Sequence, residues 1–316
     1  MTAAAGAQAA TLLPLTEPFE DTDLQNGAAT TANWDIADKE LRLQPTQRHF
    51  GAFTPGNTTT TFIASDSQET YDLATGDVNG DGLIDIVAAN GNQTNRVYLN
   101  GGGGSFLGGQ DVGVETDDSQ AIALADLDND GDLDLVVGNF SDSVNRIYFN
   151  NGTGAPFTGV IPVNLTDDAH DTRAVLIADL NGDQFPDIIV GNDNQRNLLY
   201  LNNGTATPFD GVAGQNISPD AAATKALAVA DLDHDGLLDI VVGNRNSPNT
   251  LYLNTGNAAD PFGGAAGMEI TRESDFTEGI AVADLNNDGF VDVYAANDFE
   301  QNRVYLNNGA GDGMDP

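Results

Sequence analysis

The chain has no cysteine among its 316 residues, so it has neither a disulfide nor a cysteine nucleophile. Bases are scarce: 11 lysines and arginines stand against 48 acids, for a formal net charge of −37. A surface of that sign repels nucleic-acid phosphates and anionic lipid head groups, which excludes both as partners. No apolar run approaches the roughly 18 residues of a membrane-spanning helix, so membrane insertion is not expected. The start, residues 1–10, is small and alanine-rich, and no signal peptide with a basic lead and apolar core is visible. There is no G-x-S-x-G elbow, and the three histidines, His49, His170 and His234, are scattered. Acidity of this degree can signal disorder. Here 40% of residues are hydrophobic and fall in patterned runs, which predicts a folded chain.

What is present is a repeat. Five times, about every fifty residues, an apolar segment leads into D-x-[DN]-x-D-[GQ]-x-x-D and a second apolar segment. The copies are Asp77, Asn79, Asp81 and Asp85; Asp126, Asp128, Asp130 and Asp134; Asp179, Asn181, Asp183 and Asp187; Asp231, Asp233, Asp235 and Asp239; and Asp284, Asn286, Asp288 and Asp292. Oxygen-bearing side chains at alternate positions of a tight loop suit Ca²⁺, which takes six to eight oxygens at about 2.3–2.6 Å. The seventh residue, Leu83, Asp132, Phe185, Leu237 or Phe290, is expected to add a backbone carbonyl. The sixth needs a positive φ, hence Gly82, Gly131, Gly236 and Gly289. Gln184 replaces glycine in the third loop, which is therefore expected to be the most strained and the weakest site. Five structural Ca²⁺ ions would bring the charge from −37 to −27. An EF-hand loop begins alike but requires a bidentate Glu at position 12. Here that position holds Ala88, Val137, Val190, Val242 and Ala295, all apolar, so the EF-hand reading fails.

The third copy sets out the whole unit: a strand over 173–178, the loop, a strand over 188–192, a third over 198–202, an Asn203-Gly204 turn and a weaker strand within 212–217. Four short strands with turn residues between them spell an antiparallel sheet, and a fifty-residue period of such sheets is a propeller blade. The first two strands are nearly continuous apolar runs, which predicts burial on both faces. Tyr98, Tyr148, Tyr200, Tyr252 and Tyr305 recur on the third strand and are expected to pack between blades. The predicted fold class is thus all-β, a propeller of four-stranded antiparallel blades spanning 1–316 as one domain. Residues 57–316 hold five calcium-loop repeats. Residues 1–56 form either a degenerate, metal-free sixth blade or a closing strap: 33–37 and 40–44 resemble second and third strands, and 50–68 resembles 157–171. An outer strand near 12–19 is placed to complete the last sheet and so remove exposed edges.

Phrase and period resemble the FG-GAP/VCBS repeats of integrin α-chain propellers and of many secreted bacterial proteins, over residues 71–308. The resemblance implies that the calcium loops join strands one and two on the lower face and brace the blades. It also implies a propeller most often of seven blades, for which this chain is too short.

The upper face then belongs to the loops between strands two and three and those between blades. Paired asparagines recur in the former: Asn90 with Asn95, Asn139 with Asn145, Asn192 with Asn197, Asn244 with Asn249, and Asn297 with Asn302. They are expected to cap local turns. Just before strand one stand Tyr71, Gln120, Arg173, Lys225 and Glu278, different in every copy. A fixed scaffold ringed by variable residues makes a binding face. Arg173 and Lys225 are placed to hold an acidic sugar or carboxylate, or else to balance nearby acids. The expected function is extracellular or cell-surface binding of a glycan or protein partner, as part of a larger surface protein. An enzyme acting on acidic polysaccharide around His170 in Asp167-Asp168-Ala169-His170-Asp171, and a purely structural module, stay open as alternatives.

Overall fold

The computed structural model describes residues 67–165, 170–217, 221–270 and 274–309, and the backbone of 34–37 and 40–43. The chain divides into a larger unit that includes Ile63–Pro316 and a smaller one, Pro14–Phe62. In the smaller unit β1 (Trp34–Ala37) pairs antiparallel with β2 (Glu40–Leu43), Trp34 opposite Leu43. These fall where second and third strands are expected. The outer strand near 12–19 lies outside the described residues, as does almost all of the echo over 50–68.

Among the described residues, the larger unit is a succession of five antiparallel sheets. Sheet I holds β3 (Thr70–Gly76), β4 (Asp85–Asn90), β5 (Asn95–Tyr98) and β6 (Gln110–Val112). Sheet II holds β7 (Asp118–Ala125), β8 (Asp134–Phe140), β9 (Arg146–Tyr148) and β10 (Val163–Asn164). Sheet III holds β11 (Thr172–Ala178), β12 (Asp187–Asn192), β13 (Leu198–Tyr200) and β14 (Gln215–Asn216). Sheet IV holds β15 (Ala223–Ala230), β16 (Asp239–Arg245), β17 (Thr250–Tyr252) and β18 (Met268–Glu269). Sheet V has three described strands, β19 (Thr277–Ala283), β20 (Asp292–Asn297) and β21 (Arg303–Tyr305). Each sheet runs in simple sequence order. The first strands β3, β7, β11, β15 and β19 neighbour one another from sheet to sheet, so the sheets converge along them as blades do.

The second strands of sheets II to IV are the most buried elements because they carry β-branched residues on both faces and have a sheet on either side. Ile188, Ile189, Val190, Ile240 and Val241 are wholly buried. Four apolar clusters fill the four spaces between successive sheets. Tyr148, Tyr200, Tyr252 and Tyr305 each belong to the cluster joining their own sheet to the one before, the packing role expected of them.

Burial on both faces does not extend to the ends of the series. In sheet I, Leu73 is 59% exposed and Ile84 55%, although their counterparts Ile122 and Leu133 pack against the preceding sheet. In sheet V, Ala281 is exposed and Tyr294 and Ala296 half-buried, where the equivalent residues of sheets I to IV are buried or nearly so. An apolar strand is buried on its second face only when a neighbouring sheet covers it, and none of the described sheets covers these two.

Candidate functional site

Each acidic loop is a closed hairpin between strands one and two. The residue before the loop pairs with its ninth residue: Gly76 with Asp85, Ala125 with Asp134, Ala178 with Asp187, Ala230 with Asp239 and Ala283 with Asp292. Inside, the loop's own amides orient the acids. The first acid accepts the sixth residue's N–H, at 2.7 Å for Asp77, 3.1 Å for Asp126, 2.8 Å for Asp179, 3.0 Å for Asp231 and 2.9 Å for Asp284. The fifth acid accepts the N–H of Leu83, Asp132, Phe185, Leu237 or Phe290 at 2.8–2.9 Å. The seventh side chain covers the turn after strand three: Phe185 lies against Gly204 and Phe290 against Gly309.

The sixth residue has positive φ in all five loops, including +74° at Gln184. The fourth residue is left-handed too: Gly80, Asn129, Gly182, His234 and Asn287 have φ between +58° and +77°. That second constraint escaped the sequence reading because glycine fills it in only two copies. A left-handed non-glycine residue costs about 1–2 kcal/mol, while glycine loses about 0.5–1 kcal/mol more backbone entropy on folding. Gln184→Gly is therefore expected to stabilise the chain by up to about 1 kcal/mol, read by urea unfolding. Unchanged or lower stability would show that the Gln184 backbone is unstrained.

The loops are of two kinds. Where the third residue is Asn, its amide donates to the fifth acid: Asn79 to Asp81 at 3.1 Å, Asn181 to Asp183 and Asn286 to Asp288 at 2.9 Å. Where it is Asp, no such donor exists and carboxylates crowd. Asp126, Asp128 and Asp130 bring oxygens within 4.8 Å of one another, as do Asp231, Asp233 and Asp239. Oδ1 of Asp231 is buried without a hydrogen-bond partner. A buried, unpartnered carboxylate oxygen facing like charges is what a bound cation relieves, so the donor set fits Ca²⁺.

The ninth residue differs from the rest. Asp85, Asp134, Asp187, Asp239 and Asp292 are at most 1% exposed. One oxygen accepts the N–H of the loop's second residue, as from Leu127 to Asp134 at 3.0 Å. The other accepts the N–H of an asparagine just past strand three, as from Asn150 to Asp134 at 2.8 Å. Burial pushes the carboxyl of Asp134 and of Asp187 up to about 7 and that of Asp239 up to about 6, with neighbouring loop acids adding to the shift. Asp85 and Asp292 move the same way for the same reasons.

At the opposite end of the sheets, the five residues expected to ring a binding face occupy one structural position. The pairing of strand one with strand two slips between Thr70 and Asp72, Ser119 and Ala121, Thr172 and Ala174, Thr224 and Ala226, and Thr277 and Gly279. Tyr71, Gln120, Arg173, Lys225 and Glu278 are the bulged residues. A bulge re-aims its side chain out of the ladder. Three of them come together: Arg173 donates to Gln120 Oε1 at 2.7 Å, and Arg173 and Lys225 share Asp193 Oδ2, at 3.5 and 2.7 Å. The Arg173 guanidinium also sits 3.7 Å over the Phe140 ring. Both bases thus balance a nearby acid. Glu278 pairs instead with Arg245 at 3.5 Å, and the Tyr71 hydroxyl donates to Glu69 at 2.7 Å. His170 is half-buried and its carbonyl accepts the Thr172 N–H. The expected acid–base partners Asp167 and Asp168 lie outside the described residues.

The paired asparagines do more than cap turns. Locally, Asn90 N–H donates to Asn95 Oδ1 at 2.8 Å and Asn90 Nδ2 to the Thr94 carbonyl at 2.9 Å. The second asparagine then reaches the next sheet: Asn95 to Ser119, Asn145 to Thr172, Asn197 to Thr224 and Asn249 to Thr277, at 2.9–3.0 Å. Each hydroxyl passes the bond to its own sheet's first asparagine, Asn139, Asn192, Asn244 or Asn297. A buried polar ladder therefore stitches all five sheets. Its signal was in the sequence, since Thr70, Ser119, Thr172, Thr224 and Thr277 each stand seven residues before a loop.

A family model described as an FG-GAP-like repeat matches residues 77–137, 126–190, 179–242 and 231–295. The matches run over more than half of the chain, which belongs to this repeat family. Cartilage acidic protein 1 of Mus musculus is 31% identical over 126 residues, covering 40% of this chain and 19% of that protein. The Homo sapiens protein is 35% identical over 81 residues, covering 26% and 12%. The chain thus spans less than a fifth of the length of the curated relatives it matches. Among solved structures, an Agrocybe aegerita lectin described for specific recognition of non-reducing terminal N-acetylglucosamine aligns at a TM-score of 0.51 and 24% identity, covering 78% of this chain and 65% of that one. That likeness concerns the fold, a propeller-like succession of antiparallel sheets. Among the described residues no helix is long and apolar enough to cross a membrane.

Proposed function

We propose that the chain is a calcium-braced binding module of a larger extracellular or cell-surface protein, taking a glycan or protein ligand on the rim of bulged residues. The observation that carries this reading is a contrast between the two ends of the sheets. One end repeats the same acidic loop five times. The other presents a different side chain at the same bulge in every sheet. Repetition suits a structural brace and variation suits recognition. The FG-GAP-like repeats and the lectin-like fold support a binding module. Asp134, Asp187 and their counterparts join the first, third and fifth loop positions as calcium ligands, with the seventh carbonyl completing the set. Loops with four carboxylates, those of sheets II and IV, hold the ion most tightly, and the Gln184 loop least. The exposed faces of sheets I and V are where the series closes into a ring.

The test is a glycan array with and without EDTA, followed by Arg173→Ala. Loss of the Phe140 contact and of one partner of Asp193 costs about 1 kcal/mol or less, since Lys225 still pairs with that acid. Arg173→Ala should therefore weaken ligand binding while leaving the melting curve nearly unchanged. An unfolded variant would make Arg173 a core brace, and shortening of a polysaccharide would make the module an enzyme.

A further inference from the structure

We infer that the five acidic loops respond to calcium as a linked series, with Asn150, Asn202, Asn254 and Asn307 as the joints between them. This rests on the calcium reading above and adds a property that no single loop has. Each of these asparagines follows strand three and bonds through its backbone N–H, its Oδ1 and its Nδ2. Its backbone N–H donates to the ninth acid of its own loop: Asn150 to Asp134, Asn202 to Asp187, Asn254 to Asp239 and Asn307 to Asp292, at 2.8–2.9 Å. Its side-chain Oδ1 accepts the N–H of Gly152, Gly204, Gly256 or Gly309. Its Nδ2 donates across the sheet boundary to the second residue of the preceding loop: to the carbonyl of Val78, Leu127, Leu180 or Leu232, at 2.7–2.8 Å.

The second loop residue is itself a fixed point. Its side chain is buried, at 4% exposure or less in all four. Its own N–H donates to the ninth acid of its loop: Val78 to Asp85, Leu127 to Asp134, Leu180 to Asp187 and Leu232 to Asp239. The bonds therefore run without a break from Asp292 through Asn307, Leu232, Asp239, Asn254, Leu180, Asp187, Asn202, Leu127, Asp134, Asn150 and Val78 to Asp85. Every link but the asparagine is a peptide unit or a carboxylate inside a loop. A cation in one loop fixes the position of its ninth acid, and with it that acid's bond from the asparagine N–H. The asparagine side chain then holds the entry of the preceding loop in its closed geometry. Linkage makes the effect reciprocal, and coupling between sites is typically 5–150-fold in affinity.

The experiment follows hydrogen–deuterium exchange of the loops over 126–134 and 179–187 while the whole chain is titrated with calcium. Asp183→Ala disables the sheet III loop at an exposed ligand that touches no other sheet. It should shift the calcium midpoint of the intact 126–134 loop upward by about 5-fold or more. In Asn202→Ala the same loop should be weakened, and adding Asp183→Ala to it should shift that loop no further. A 126–134 midpoint unmoved by Asp183→Ala overturns the coupling, even where Asn202→Ala does not fold. Absence of calcium-dependent protection in every loop of the unaltered chain overturns the calcium reading itself, and the linked series with it.

Discussion

Stripping divalent cations with EDTA is expected to lower the unfolding temperature by on the order of 20 °C or more, as each site filled at about 100 times its Kd adds about 2.7 kcal/mol and a domain this size shifts about 2–4 °C per kcal/mol. Without the ion, three or four carboxylates stay clustered at the entrance of each sheet, and their repulsion strains the hairpin that closes it. The pH dependence should also change sign between the two states. In the metal-free chain, burial raises the carboxyls of Asp134 and Asp187 to about 7 and that of Asp239 to about 6, above the ordinary 3.8. Between those values the folded chain holds protons that the unfolded chain has released. The stability from the protonated acids is fully present below about 4 and is lost as pH rises through about 6–7. In calcium the same carboxylates must be ionised to hold the metal, so stability should rise over that window instead. Calorimetry at pH 5 and pH 8, in EDTA and in millimolar calcium, tests both claims. Melting curves that coincide with and without EDTA would leave the acidic loops with no bracing role.

Legibility from sequence depended on how local each feature is. The acidic loops were readable as tight acidic turns because alternate positions within nine residues carry the oxygen side chains, so Asp126, Asp128 and Asp130 stand out as a cluster without any knowledge of the fold. The bulged rim was readable for a related reason. Tyr71, Gln120, Arg173, Lys225 and Glu278 hold a constant offset from the loops, and variation at a constant offset is visible in a single repeat protein. The asparagine ladder left only the fixed offset of its hydroxyls as a trace, because Asn145 meets Thr172 across 27 residues, and the joint at Asn202 left none, because it meets Leu127 across 75. Nothing in an asparagine says whether it bonds its own turn or the next sheet, and here it does both. Burial of the first strands was readable only as a property of an interior blade. Leu73 has the same character as Ile122, yet its exposure follows from what lies beside sheet I. The clasp between Arg173, Lys225 and Asp193 was half visible: scarce bases pointed to a role, and only the fold showed that both share one acid.

Asp134→Ala and Asp130→Ala remove the same chemical group four residues apart and should behave oppositely in EDTA. Asp130 is exposed, and its carboxylate sits beside Asp126 and Asp128. Removing it relieves repulsion when the metal is gone, so in EDTA the variant should be as stable as the parent or slightly more so. In calcium it should lose much of one site, about 2–3 kcal/mol at calcium concentrations near 100 times Kd. Asp134 is 1% exposed, and its two oxygens accept the N–H groups of Leu127 and Asn150. Alanine leaves both donors buried without an acceptor, at about 1–3 kcal/mol each, and opens a void between strands. Its loss should therefore cost about 3–5 kcal/mol even in EDTA, with the calcium-linked loss added on top. Urea unfolding of both variants, with and without EDTA, separates the two roles. Equal losses in EDTA would mean that the ninth acid is no more structural than the fifth. No loss for Asp134→Ala in EDTA would mean that the buried hydrogen bonds around it do not hold the sheets together.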